Sequence, residues 1–562
     1  MLTNKQLDWA VLTILAIGAG CGLVYEYLLS HYAGRILGAV EQAIFGIISV
    51  MMIFMGVGSF LARKISNPFA GFAWLELSLA FIGASSILFI GGAFSLAALL
   101  PKLLMDTFSL PPDLILAGGL IESIDDFARW MPYLVGALLG TLIGMEIPLI
   151  GEIRSRIYAD SLKNNPGSIY GIDYIGAGFG ALLWVFFMLS LEVSFAGALT
   201  ASVNLLIGAI FFYLFKDKIP SATYLLLGHA VVALWVLQVF SYGSNWSAKM
   251  EDMLYRDKVV FHVNTQYQHL VITERITDPA KPSLLTFFIN GRTQFASNDE
   301  HIYHSMLTYP ALAASARHEK VLIIGGGDGL AVRDVLRWNP KKVTLLDLDS
   351  GLIELFKTPK MEQGKVLNQR LIAANQGAFN DPRVQTVFGD AFVSINQLIR
   401  DDQLFDTVII DLPDPNHPDL NKLYSARFYN KVFNVLTGDG AMVVQSTSPY
   451  HAKNTFISIG KTIKHAGFKH VEQYHHNVPA FGEWGFSIAT KNGLSAKHRL
   501  QQLTTWPVDD GWTTKGLLLA AFEFGKNFYQ QTDTIKVNRL GSMVAYQYHH
   551  SDWQKEMGIY TQ

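Results

Sequence analysis

Long apolar runs fill roughly the first 245 residues of the chain and then stop. Seven of them approach the ~20 residues that cross a bilayer as a helix. They cover 10–30, 43–62, 73–98, 131–150, 172–191, 195–215 and 222–242. The first run continues past Glu26 with no small-residue cleavage motif, so it reads as a retained span rather than a signal peptide. Segment 101–130 breaks the pattern with Pro111, Pro112, Asp113, Glu122, Asp125 and Asp126, which suits an interfacial helix or a re-entrant piece. Small residues recur in "GAGFGALLW", where they would let helices approach closely.

From about Asp257 the period changes. "HLVITER" and "LLTFFIN" are short β-rich runs and predict a small N-terminal sheet. Strand and helix patterns then alternate through "KVLIIG", "KVTLLDLD", "RVQTVFGD" and "FDTVIIDL", as expected of a mostly parallel sheet covered by helices. The predicted fold class is a multi-pass α-helical membrane region followed by an α/β domain, a small β-sheet plus a Rossmann-like, methyltransferase-type parallel sheet. The domains are placed at 1–245, 246–494 and 495–562, the last an extension without an assigned role.

Composition agrees with the split. The 562 residues are 50% hydrophobic and 16% charged, with mean hydropathy +0.25. A net charge of -2 gives no case for nucleic acid as a partner. The one cysteine, Cys21, lies in an apolar run, which leaves neither a disulfide framework nor a cysteine metal site. Glu26, Glu76, Glu146 and Asp173 fall within or at the edges of spans. A charge at mid-membrane costs on the order of 3 kcal/mol, so each needs a reason. Two are open: a cation or polyamine path, or placement near span ends beside helix N-termini and arginines such as Arg35 or Arg154.

Candidate chemistry begins at the turn Gly325-Gly326-Gly327-Asp328-Gly329-Leu330. The dinucleotide pattern would need glycine at position 330. Asp347, ending the next strand, can accept both ribose hydroxyls. Asp328 would repel a pyrophosphate at a helix N-terminus that otherwise favours anions. A positively charged nucleoside without phosphates, such as an adenosyl sulfonium, fits better. "DLPDP" places Asp411 and Asp414 at the same sheet edge. Together with Asp328 they make a negative pocket suited to a polycation. An alkyl amine, with a pKa near ~10.4, is protonated at neutral pH and must lose a proton before it attacks carbon. A neighbouring carboxylate can position it and accept that proton.

Residues from about 255 to 490 resemble spermidine synthases, the polyamine aminopropyltransferases. The ordered motifs are "TQYQH", "NDEHIYHSM", "VLIIGGGDG", "LLDLD", "GDAF", "DLPDP" and "LYSARFY". The apolar half is similar to the extension of bacterial membrane-bound members. The resemblance implies transfer of an aminopropyl group from S-adenosylmethioninamine to putrescine, giving spermidine and methylthioadenosine, with no cofactor and no metal. It implies that Asp411 is the catalytic proton acceptor. Tyr303, His304, Asp328 and Asp414 would join it around the amine. Gln268, Gly325, Gly327, Asp347, Asp390, Ala391 and Pro418 would hold the nucleoside. Two positions depart from the family pattern. Leu412 and Pro413 stand between the acids where small hydroxyl residues are usual, and Phe481 replaces a tyrosine.

The implied partners are the amine, the sulfonium donor and a lipid bilayer, with self-association left open. A methyltransferase on the same fold and a non-catalytic polyamine sensor or transport partner are the competing readings. The expected location is the cell (inner) membrane. Donor supply asks for a cytoplasmic catalytic domain. Yet Arg63, Lys64, Arg154, Arg156, Lys163, Lys216 and Lys218 mark alternate loops as inside together with the N-terminus, and seven spans would then put the C-terminal half outside.

Overall fold

A computed structural model describes residues 3–37, 40–110, 118–158, 165–220, 222–362 and 365–556. The chain divides into two compact units, Met1–Val259 and Val260–Gln562.

The first unit is helical: α1 (Asn4–Leu37), α2 (Val40–Leu61), α3 (Pro68–Thr107), α4 (Gly119–Tyr158), α5 (Asn165–Phe186), α6 (Val193–Phe215) and α7 (Ala222–Asp252). Among the described residues these seven are long and apolar enough to cross a membrane. Most run past the limits read from hydropathy. The composition break at 245 falls inside α7. Segment 101–130 differs from expectation. Its first residues complete α3 and its last begin α4, while Pro111, Pro112 and Asp113 lie outside the described residues. Hydropathy missed this start because the first turns of α4 are polar, with Arg129 and Asp125 paired one turn apart at 2.8 Å.

Close helix packing follows from bare backbone. A Cβ on Gly176 would stand 2.0 Å from the Ala16 carbonyl oxygen of α1, and one on Gly144 would stand 2.0 Å from that of Met55 on α2. No side chain fits either place; the first lies in "GAGFGALLW", whose small residues predicted close approach, and the second does not. Pro148 cannot donate to the Gly144 carbonyl one turn back. The Ser59 hydroxyl of α2 donates to that oxygen at 2.7 Å instead. Arg154 pairs with Asp8, at 2.6 and 3.1 Å. Glu76 and Glu146 are both buried inside the bundle.

The second unit opens with an antiparallel sheet of β1 (Lys258–Asn264), β2 (His269–Arg275), β3 (Leu284–Ile289) and β4 (Arg292–Ala296), in that order. A seven-stranded sheet follows, made of β5 (Lys320–Gly325), β6 (Lys342–Asp347), β9 (Val384–Phe388), β10 (Phe405–Asp411), β11 (Leu436–Gln445), β12 (His470–Val478) and β13 (Gly482–Thr490). A two-residue pair, β7 (Met361–Glu362) and β8 (Lys365–Val366), lies between β6 and β9 in sequence. The large sheet runs β12-β13-β11-β10-β5-β6-β9. Pairing is parallel from β11 across to β9, and β12 and β13 add an antiparallel edge. Strand order reverses between β5 and β10, with Asp411 opposite Gly325. Ligands of open α/β sheets bind at such a switch point, beyond the carboxyl ends of the strands. Residues 495–556 pack onto this unit. Asn538 donates to the carbonyls of Asn421 and Tyr424, and Asp552 accepts from the backbone of Asn454.

Candidate active site

The glycine turn and Asp411 are positioned by one backbone contact. Gly325, at φ +82°, lies so close to β10 that a Cβ would stand 2.0 Å from the Asp411 carbonyl oxygen. Gly326 (φ +71°) leaves room for the Asp411 carboxylate, whose Oδ2 is 3.2 Å from where a Cβ would be. The glycines thus bring Asp328 and Asp411 to one edge. The Asp328 Oδ1 accepts from the Leu330 amide at 2.9 Å, the first turn of the following helix.

The helix Glu300–Ala314 supplies the facing wall. Tyr303 Oη donates to Asp411 Oδ1 at 2.7 Å. His304 is 1% exposed, and its Nδ1 donates to the Glu300 carbonyl at 2.7 Å. The Glu300 carboxylate is 3.3 Å from the same nitrogen and is gripped by Arg333 at 2.7 and 2.9 Å. Burial works against a charged imidazole. The Glu300 bond and the charges of Asp328, Glu300 and Asp411 outweigh it and push the His304 pKa up to about 9. Burial would also raise Glu300, but its bonds to His304 and Arg333 hold it at about 2.

The carboxylates respond differently. Burial pushes Asp411 up to about 6, with Asp328 adding repulsion and His304 and the Tyr303 bond opposing it. Asp328 is raised by burial against the pull of His304. Asp347 is raised by burial to about 6; the Asp349 amide, donating to Oδ1 at 2.8 Å, opposes this, and the charges of Asp349 and Asp328 add to it. Acids held above their ordinary range by burial and by each other would gain from a cation. The cluster is built to receive positive charge.

Asp414 stands apart from Asp411 on a pinned loop. The Leu412 and Pro413 carbonyls accept from Gln445 at 2.5 Å and Tyr424 at 2.8 Å. Asp414 Oδ2 accepts from Thr447 at 3.1 Å and lies 3.2 Å from His549 Nε2, which Trp553 Nε1 approaches at 3.0 Å. Asp414 Oδ1 is buried without a hydrogen-bond partner. The C-terminal segment therefore contributes to this end of the site.

The remaining expected residues fall along the other strands. Gln268 donates to Asp349 Oδ2 at 2.7 Å, alongside Thr265 at 2.6 Å. Gly327 sits against Asp347, whose Oδ2 is 3.0 Å from where a Cβ would be. Asp390 caps the helix Ala391–Arg400 through the Phe392 amide at 2.8 Å, and Lys422 Nζ lies 2.6 Å from its other oxygen. Ala391 is buried in the first turn of that helix. Pro418 opens a short helix capped by His417. Phe481 packs on Tyr303 with ring centroids 5.7 Å apart.

Asp349, Glu300, Arg333, Tyr424, Gln445 and His549 were not singled out from sequence. Asp349 and Glu300 lie inside quoted motifs; for Asp349, a second acid two residues from the named Asp347 was the available signal. For His549, 135 residues from Asp414, no local pattern gave a signal.

Residues 300–500 match the Spermine/spermidine synthase domain. The polyamine aminopropyltransferase of Shewanella oneidensis is 51% identical over 98% of this chain and 96% of its own length. Polyamine aminopropyltransferase 1 of Streptomyces coelicolor is 34% identical over 86% and 84%. A crystal structure of spermidine synthase in complex with the transition state analogue AdoDATO aligns at 22% identity and TM-score 0.40, covering 48% of this chain and 85% of that one. With a full-length relative at this identity, the chain belongs to the polyamine aminopropyltransferase family.

Proposed function

We propose that Asp411 takes the proton from an attacking amine while Asp328, Asp414 and His304 set the charge around it. The chain is a transferase that moves an aminopropyl group from a decarboxylated S-adenosylmethionine to an amine, forming spermidine. The observation that carries the residue assignment is the half-buried Asp411, bonded to Tyr303 at 2.7 Å and facing Asp328 across the glycine turn.

In this reading the diamine enters as a dication. One ammonium is held at Asp414 by charge-assisted hydrogen bonds. The other gives its proton to Asp411, and the freed nitrogen attacks the propyl carbon next to sulfur. The new N–C bond forms as the C–S bond breaks, the electron pair leaves with sulfur, and methylthioadenosine departs. The sulfonium is already a good leaving group, so alignment and proton removal are what the protein adds. Asp347 is assigned to the ribose hydroxyls. Asp390 and Ala391 are assigned to the base, with Gln268, Gly325, Gly327 and Pro418 at the edges of the nucleoside. The relatives do not favour methyl transfer or a non-catalytic sensor. Turnover of Asp411→Asn with the donor and putrescine tests the assignment: near-wild-type rates would remove Asp411 from its role.

We also infer that the helical unit spans a bilayer. Supporting this, large apolar side chains point outward along its helices, among them Phe186 at 72% and Phe179 at 69% exposure. The catalytic unit is placed on the cytoplasmic side by donor supply, against the charge bias of the loops. Impermeant labelling of a cysteine introduced at 495–510 in a Cys21→Ala background decides the side. Labelling in intact cells would overturn the cytoplasmic placement.

A further inference from the structure

Two carboxyl groups meet inside the helical unit, and among the described residues no basic side chain forms a salt bridge with either. Glu76 of α3 is 0% and Glu146 of α4 is 2% exposed. They converge on Gly18 of α1. The nearest heavy atoms to a Cβ there would be Glu146 Oε2 at 3.1 Å, Glu76 Oε1 at 3.6 Å and Glu146 Cδ at 3.7 Å. A side chain at position 18 would press on the Glu146 carboxyl, so glycine lets both acids come up to the α1 backbone.

The surrounding polar groups lead to these acids and leave part of each without a partner. Tyr25 donates to Asn204 Oδ1 at 3.1 Å, and Asn204 donates to Glu76 Oε2 at 2.9 Å. That chain ends at Glu76, whose Oε1 is buried without a hydrogen-bond partner, as is Glu146 Oε1. On α7, His229 gives its Nδ1 proton to the Leu225 carbonyl at 2.9 Å. Its Nε2 therefore presents a lone pair, and that atom too is buried and unpartnered. Bare backbone at Gly208 separates it from Glu76: a Cβ there would lie 3.0 Å from Glu76 Cβ and 3.4 Å from His229 Nε2. Asp173 of α5 adds negative charge near Glu146, Cys21 of α1 lies within reach of both acids, and Arg154 is engaged by Asp8. Three buried acceptors without a partner, on α3, α4 and α7, call for a donor.

We propose that Glu76 and Glu146 form a binding site for an alkylammonium cation within the helical unit. An ammonium brings three N–H donors on a compact head, and its hydrocarbon stem suits the apolar surroundings. A bare metal ion fits less well, because hard cations take six or more oxygens. Among the described residues no group of three His, Cys, Asp or Glu side chains converges as metal ligands. The backbone carbonyl that Pro148 frees is already taken by Ser59.

The site is separate from the catalytic acids, and only the choice of probe rests on the function proposed above. The test is equilibrium binding of radiolabelled putrescine to the full-length chain in detergent. The wild-type chain should bind two amines. The Glu76→Gln/Glu146→Gln protein should bind one and keep its aminopropyl transfer, which also shows that it is folded. Asp411→Asn/Asp414→Asn should retain the bundle site, with its affinity falling about tenfold or more when Glu76→Gln is added. Unchanged stoichiometry in Glu76→Gln/Glu146→Gln overturns the proposal. So does a change confined to proton release, which would mean that the two carboxyls merely share a proton. Loss of transfer by the wild-type chain alone would count against the catalytic reading and not against this one.

Discussion

Each unit buries carboxylates, and each treats them differently. In the α/β unit the three acids at the strand ends and the glycine turn each accept from a named donor, Tyr303 for Asp411, the Leu330 amide for Asp328 and the Asp349 amide for Asp347, while Asp414, assigned to hold an ammonium, keeps one oxygen open. A cationic histidine stands among them, backed by Glu300 and Arg333. In the helical unit, Glu76 has Asn204 on one oxygen and nothing on the other, and Glu146 Oε1 has no partner. The first arrangement fixes geometry before a ligand arrives, as catalysis requires. The second leaves acceptors open, which suits reversible binding but not bond making. Burial alone does not identify a catalytic acid; the donors that orient it do.

The largest effect expected is on turnover. Asp411→Asn should lower kcat about 10²–10⁴-fold while leaving methylthioadenosine binding intact. Glu76→Gln and Glu146→Gln should leave kcat unchanged. Equal losses in both sets, in a steady-state assay, would erase the distinction. Next comes donor binding. On the proposed ribose role, Asp347→Ala removes two hydrogen bonds worth about 1.5–3 kcal/mol each, and calorimetry with methylthioadenosine should show a Kd weaker by about a hundredfold or more.

The pH profile sharpens the account of how donors tune the acids. Asp411 must be ionised to accept a proton, so kcat/KM should fall as pH drops through about 6. Tyr303 lowers that value through its hydrogen bond. Tyr303→Phe should therefore shift the acid limb to higher pH; a shift to lower pH would contradict the bond. The smallest effect concerns His549. Replacing it with alanine should raise the KM for putrescine about 2–10-fold with little change in donor KM, because Asp414 is the one site acid it contacts.

What could be read from sequence follows locality. A glycine turn after a buried strand and an acid at the end of the next strand are local facts. They led to Asp328, Asp347 and Asp411, and the structure brings Asp328 and Asp411 together with Tyr303 and His304. The Glu300–Arg333 pair spans 33 residues, the Gln268–Asp349 bond 81 and the His549–Asp414 contact 135. No periodicity encodes such distances. In the helical half, hydropathy located seven helices but misplaced their ends. The polar turns that begin α4 carry no apolar signal, although the backbone continues as helix. The meeting of Glu76, Glu146 and Gly18 depends on three helices packing. From sequence, those acids were only a cost in search of a partner.

The central claim is that the acids at the β5–β10 switch point serve aminopropyl transfer to an amine. Mass spectrometry of products from the purified full-length chain tests it most directly, with S-adenosylmethioninamine and S-adenosylmethionine each offered against a panel of amines. Spermidine and methylthioadenosine should appear from S-adenosylmethioninamine and putrescine, and should be lost in Asp411→Asn. Methylated amines from S-adenosylmethionine, or no product from any pair, would contradict it.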